Sequence, residues 1–282
     1  MIIRGIFDAV LEYDPAQEAC VREKGTVVVF PGGGYSWLSD RESWPVVRAF
    51  NREGYRAVIF RYDVQTEVLR QRPVCQAAWA CAEVKRLYPG EPVYFCGFSA
   101  GAHCAATLGV HWADTDWNGK PLFREVKEYC GMSPETDKRI FRPDGMILAY
   151  PVITGGEYAH RGSFDRLLGS REQYAAVHGS VEEYDRALRW FSLELQVRET
   201  AVPCYVWHTE TDLSVPVQNT LLLIGAYAAQ GIPAEYHLFP RGVHGLSLAD
   251  EETEEKEKGR YRDPHVAEWF SEAAEWIRYI FK

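Results

Sequence analysis

Five consecutive residues, Gly97-Phe98-Ser99-Ala100-Gly101, set a serine between small neighbours. An apolar run, Val93 to Cys96, precedes them, and a run of small apolar residues, Ala102 to Val110, follows. A sharp strand-to-helix turn needs small flanks, because its backbone is strained and must hold the serine Oγ clear of the chain. The N–H of Ala100 then lies at a helix N-terminus, where a developing oxyanion would be stabilised. By composition alone the G-x-S-x-G pattern arises in roughly one chain in ten of this length, so the context carries the argument. The competing reading is a serine that merely caps the helix.

A second glycine-rich segment, Pro31-Gly32-Gly33-Gly34-Tyr35, follows the β-branched run Thr26 to Phe30. Successive glycines let a backbone pass close to a substrate and aim N–H groups at it. Gly33 and Gly34 are therefore candidate oxyanion donors beside Ala100. A phosphate cradle is the alternative, but the loop lacks both the G-K-[ST] ending of a P-loop and the spaced glycines of a dinucleotide fold.

A serine attacks an ester only if a base takes its proton, and that base must itself be oriented. Of eight histidines, His244 stands in a glycine-flanked loop, Arg241-Gly242-Val243-His244-Gly245, after the last strand pattern. The segment W-H-T-E-T-D-L-S-V-P puts Asp212 at the end of the strand before it, with Glu210 as a rival acid. His103 is expected to pack beside the turn and His208 to act as a structural hydrogen-bonder. No histidine pair has metal-site spacing, so no metal or other cofactor is expected.

These residues need a scaffold of alternating strands and helices, and the chain supplies one. Strands are expected at Thr26 to Phe30, Tyr55 to Tyr62, Val93 to Cys96, Asp144 to Tyr150, Cys204 to His208 and Ala234 to Phe239. Helical spacing runs over about Asp40 to Arg52, Val68 to Leu87, Ala102 to Val110, Val217 to Gln230 and His265 to Phe281. Two stretches break the alternation, about 113–142 and 154–202, and read as insertions that shape an active site. The expectation is one α/β domain over residues 1–282, a mostly parallel central sheet flanked by helices, with those segments inserted.

Bulk properties narrow the partners. The net charge is −9 with no Lys/Arg cluster, which argues against nucleic acid. The charged run Asp250 to Lys258 reads as a solvated loop or helix start. Seven cysteines (Cys20, Cys75, Cys81, Cys96, Cys104, Cys130 and Cys204) form no C-x-x-C pair and read as reduced thiols. The first residues lack a signal-peptide pattern, and no segment reaches the ~18 apolar residues of a membrane span. The expectation is a soluble cytoplasmic protein that does not engage membrane, of undetermined oligomeric state.

The chain order Ser, then acid, then His is that of the α/β-hydrolases. PGGGY followed by S-D-R-E (Ser39 to Glu42), GFSAGAH, RPDGMILAYPVI, WHTETDLSVPV and GVHGLSLA together resemble bacterial esterases of the acetyl-xylan-esterase and feruloyl-esterase-like branch, classed as carbohydrate esterases or lipase-like hydrolases. Many relatives have Gly-Gly after the alanine that follows the nucleophile, whereas here Ala102 follows Gly101. The resemblance implies Ser99, Asp212 and His244 as triad and Gly33, Gly34 and Ala100 as oxyanion hole. It also implies that the loop Gly155 to Ser163, with Tyr158 and His160, borders the site. Tyr35 and Trp37, next to the glycine loop, are candidate substrate contacts, either stacking on a ring or packing under the loop. The implied activity is hydrolysis of short-chain carboxylic esters, of small molecules or acetylated oligosaccharides, through an acyl-enzyme. An amidase or peptidase on the same fold, or a catalytically silent binding protein, is the alternative.

Overall fold

The apolar runs assemble into one eight-stranded sheet. The computed structural model describes residues 1–14, 24–64, 68–178 and 180–281; Cys20 lies outside them. The strands are β1 (Ile2–Arg4), β2 (Val10–Tyr13), β3 (Thr26–Phe30), β4 (Arg56–Arg61), β5 (Val93–Phe98), β6 (Gly145–Ala149), β7 (Cys204–Thr209) and β8 (Ala234–Phe239). Their order is β1-β2-β4-β3-β5-β6-β7-β8. β2 pairs antiparallel with both neighbours, and every pair from β4 to β8 is parallel.

All five β3 residues are buried, so the strand reads as a continuous apolar run. Its side chains still alternate. Val28 and Phe30 join the core beneath α2 (Arg72–Leu87), α3 (Ala100–His111) and α8 (Gln218–Gln230). Val27 and Val29 join the opposite core, under α1 (Trp44–Arg52) and α10 (Trp269–Ile280). The chain runs from β3 outward to β4, then returns to place β5 on the other side of β3. Such a reversal opens a crevice at the carboxyl ends of the two strands. The glycine loop leaves β3 and Ser99 leaves β5 at that place.

Element boundaries differ from the sequence expectations for local reasons. β5 extends through Phe98, because Gly97 and Phe98 pair with Leu148 and Ala149. The helix expected from Val68 starts at Arg72, since Leu69 and Arg70 donate their N–H groups to Arg166 and Leu167 of α5 (Arg161–Leu168). Residues 113–142 carry α4 (Arg124–Tyr129), and 154–202 carry α5, α6 (Arg171–His178) and α7 (Val181–Phe191). The closing helix is split into α9 (Pro264–Ala267) and α10. Among the described residues no helix is long and apolar enough to cross a membrane. The six described cysteines are free thiols.

Candidate active site

Ser99 sits between β5 and α3 with φ 53° and ψ −118°, a left-handed conformation that L-residues adopt only when held there. It is held on both sides: its N–H donates to Ala149 O at 3.0 Å, and its carbonyl accepts from His103 N at 3.1 Å and Val152 N at 3.3 Å. Its neighbour Gly101 has no room for a side chain, since a Cβ there would lie 2.2 Å from Phe30 O. The helix therefore packs directly on the end of β3.

Ser99 Oγ lies 2.8 Å from His244 Nε2, and His244 Nδ1 lies 2.6 Å from Asp212 Oδ2. The Asp212 side chain is fully buried. Burial alone would raise its carboxyl, but hydrogen bonds from His208, His244 and the Val215 N–H outweigh it. The group is held well below the usual carboxylate range. An ionised Asp212 fixes the proton on His244 Nδ1 and leaves Nε2 as acceptor for the Ser99 hydroxyl. Asp212 Oδ1 also accepts from Ser214 N (2.8 Å) and Val215 N (2.9 Å). His208 Nε2 faces two acceptors, Val215 O at 3.0 Å and Asp212 Oδ2 at 3.2 Å, so it carries the proton and donates. Glu210, the rival acid, is exposed.

The glycine loop turns at Gly33 (φ 133°), whose carbonyl accepts from Ser36 N (3.0 Å) and Trp37 N (3.3 Å). The N–H groups of Gly33, Gly34 and Ala100 have no protein acceptor among the described residues. Beneath the loop lies a carboxylate to which the sequence reading assigned no role. Glu42 is buried, and its Oε2 accepts from Gly32 N at 2.8 Å while Oε1 accepts from Tyr150 OH at 2.6 Å. The Tyr150 oxygen in turn accepts from Ser247 N at 3.0 Å, and its ring centroid is 5.0 Å from that of His244. One buried side-chain pair thus ties the glycine loop to the histidine loop.

The charged run read as a solvated loop does more than face water. Glu255 bridges Arg260 (Oε2 to Nη1, 2.5 Å) and Arg41 (3.8 Å), and the two arginines grip the histidine loop from behind. Arg260 Nε donates to His244 O at 2.9 Å, Arg41 Nη1 to Gly245 O at 2.8 Å, and Arg41 Nε to Thr253 O at 2.7 Å. Sequence gives little sign of this, apart from the S-D-R-E segment that contains both Arg41 and Glu42.

Ser99 opens into a cleft of about 360 Å³ whose wall includes Gly33, Gly34, Trp37, His160, Arg166 and His244. Trp37 is half exposed there, and His160 Nδ1 is 2.9 Å from Ser163 Oγ. Burial pushes His160 below the usual histidine pKa. Two expected contacts are elsewhere. Tyr35 is buried under the loop and its hydroxyl donates to His103 Nδ1 at 2.8 Å, because His103 Nε2 is engaged with Phe191 O at 2.9 Å. Tyr158 does not line the cleft; its carbonyl accepts from Asn219 Nδ2 at 2.9 Å. Of the two insertions, 154–202 reaches the cleft through His160, Gly162 and Arg166, whereas 113–142 contributes no lining residue and packs against α2 instead.

A mostly parallel sheet with a serine on a strand-to-helix elbow, followed in chain order by acid and histidine, defines an α/β-hydrolase. No family model matches the chain. It is 30% identical to the acetyl ester-xyloside bifunctional hydrolase of Caldicellulosiruptor lactoaceticus, with a TM-score of 0.72 over 98% of this chain and 90% of that one. The chain belongs to the α/β-hydrolase esterases. Over 238 residues, 82% of this chain, it is 34% identical to endo-1,4-beta-xylanase B of Butyrivibrio fibrisolvens. The chain spans about a third of the length of the curated relatives it matches. Carboxylesterase Cest-2923 of Lactobacillus plantarum, 22% identical, has the same fold with a TM-score of 0.69 over 96% of this chain and 92% of its own.

Proposed function

We propose that this chain hydrolyses short-chain carboxylic esters, with acetylated oligosaccharides as its natural class, through an acyl-enzyme on Ser99. The observation that carries the reading is the unbroken relay from Ser99 Oγ through His244 to the ionised Asp212, at 2.8 Å and 2.6 Å. His244 takes the Ser99 proton as Oγ attacks the ester carbonyl. The N–H groups of Gly33, Gly34 and Ala100 stabilise the oxyanion. The alcohol leaves with the proton from His244, and a water activated by the same histidine then releases the acid.

The choice of acetyl and sugar rests on two features. The cleft is small, and it presents the half-exposed Trp37, a flat face of the kind that stacks on sugar rings. The named activities of the Caldicellulosiruptor and Butyrivibrio relatives, an acetyl ester-xyloside hydrolase and a xylanase, support the same class. We read the chain as one domain in which 154–202 forms the substrate wall, working on oligosaccharides in the cytoplasm.

Hydrolysis of p-nitrophenyl acetate and butyrate by wild type and Ser99→Ala tests the reading. Wild-type turnover that falls by on the order of 10⁶ in kcat on substitution is the expected result. Equal rates, or a wild type that takes no fluorophosphonate label, would leave a silent hydrolase-fold protein in its place.

A further inference from the structure

Three arginines face the cleft, and two are committed to structure. Arg41 and Arg260 donate to the carbonyls of the histidine loop and its neighbour and share Glu255. Glu42 is likewise engaged at both oxygens. His160 is engaged at Nδ1 by Ser163 Oγ at 2.9 Å. Arg166 is different. It stands on α5, fixed through its carbonyl, which accepts from Leu69 N at 3.0 Å. Its Nε donates to Ser36 Oγ at 3.0 Å, and among the described residues no carboxylate pairs with it. The preceding Asp165 is exposed, and adjacent positions on a helix do not face each other. Its Nη donors thus have no protein acceptor among the described residues, in a wall that also holds Ser99.

From this placement we infer that Arg166, with Ser36, forms a subsite for a carboxylate carried by the ester substrate; the inference rests on the ester-hydrolase reading above. A guanidinium presents paired N–H donors at the spacing of a carboxylate's two oxygens, and its charge is permanent. Concave walls concentrate the field of an uncompensated charge and raise the local concentration of the opposite ion. Ser36 holds the Nε edge, so the Nη edge receives the anion. Trp37, next in the chain, offers its face to the ring or chain between carboxylate and ester. In a protein of net charge −9, an arginine without an acidic partner among the described residues, in the cleft that holds Ser99, selects for acidic esters against neutral ones. The carboxylate belongs either to the acyl half, as in a half-ester of a dicarboxylic acid, or to the alcohol half, as in an acetylated uronic acid.

Two substrate pairs separate these sources. The acyl pair is mono-p-nitrophenyl glutarate against p-nitrophenyl valerate, and the alcohol pair is p-acetoxybenzoate against its methyl ester. The readout is the anionic-to-neutral ratio of kcat/KM in wild type, Arg166→Gln and Arg166→Lys. In one pair the ratio should fall about tenfold or more in Arg166→Gln. It should be partly kept in Arg166→Lys and shrink in wild type as salt is added. Ratios unchanged by Arg166→Gln in both pairs, with neutral esters still turned over in a Ser99-dependent way, would overturn the subsite alone. Absence of Ser99-dependent turnover of the neutral esters would take down the hydrolase reading and the subsite together.

Discussion

Arg260 Nε donates to the carbonyl of His244 at 2.9 Å, from a residue sixteen positions further along the chain. The loop that carries His244 is bounded by Gly242 (φ 149°) and Gly245 (φ 79°), conformations that give it a sharp path and little stiffness of its own. Stiffness comes from outside. Arg41, just before α1, reaches Gly245 O, and Glu255 joins the two arginines into one clamp. The imidazole is therefore held by Asp212 at its edge and by two guanidiniums through its backbone.

Arg260→Met should cost kcat on p-nitrophenyl acetate roughly 10–100-fold, the loss of a charge-assisted hydrogen bond on a positioning residue. KM should move much less. Arg260→Lys should recover part of the rate, and fluorophosphonate labelling of Ser99 should slow in step with kcat. A kcat unchanged in Arg260→Met, with the fold intact by circular dichroism, would show that the loop supports itself.

Gly101→Ala should destabilise the protein by about 3 kcal/mol, because the new methyl meets backbone oxygens that cannot rotate aside. Its Cβ would lie 2.2 Å from Phe30 O and 2.5 Å from Pro31 O. Relief requires α3 to lift from β3, which moves Ser99 away from the glycine loop, so activity should fall with stability. Gly225→Ala is the control. A Cβ at that helical position meets nothing within 4 Å, and the substitution should stabilise by about 0.5–1 kcal/mol in a urea titration.

These two sites also mark where sequence reading worked and where it stopped. The strand patterns were legible because β3, β5, β6 and β7 are buried on both faces and read as continuous apolar runs. Ser99, Asp212 and His244 each follow the carboxyl end of a strand pattern, and the G-x-S-x-G elbow and the glycine-flanked histidine loop singled out the first and the last, while Glu210 remained a rival to the second. The clamp was illegible because Arg41 and the carbonyls it holds are more than two hundred residues apart, and a charged run looks the same in sequence whether solvated or docked. Tyr35 stayed open between stacking on a substrate and packing under the loop for a related reason. An aromatic after a glycine loop can point either way, and the distant His103 decides it by offering a buried acceptor.

Glu42→Ala should remove the common acceptor of Gly32 N–H and Tyr150 O–H and leave two buried donors unmet. The cost is about 3 kcal/mol, a drop in Tm on the order of 6–12 °C for a chain of this size. Glu42→Gln keeps a carbonyl acceptor for one of them and should melt between the two. The tie between the glycine loop and Ser247 is lost in Glu42→Ala and weakened in Glu42→Gln, so kcat should follow the same order. A Glu42→Ala protein as active and as stable as wild type would mean that water replaces the carboxylate without loss.

His103 gives the fold a defined acid sensitivity. Burial lowers its pKa to about 4, from the 6.5 expected of an exposed histidine. Between those values the unfolded chain binds a proton that the native protein refuses, so stability falls as pH falls through this window. The change attributable to His103 between pH 7 and pH 5 is about 2 kcal/mol. The neutral form is needed because Nε2–H donates to Phe191 O while Nδ1 accepts from Tyr35 OH, and an imidazolium would set two protons against a hydroxyl already oriented as donor. His103→Gln should be less stable than wild type at pH 7, yet its unfolding free energy should be flatter from pH 7 to pH 5. Urea titrations at the two pH values measure the difference directly. Parallel slopes for the two proteins would show that the acid sensitivity arises at other groups.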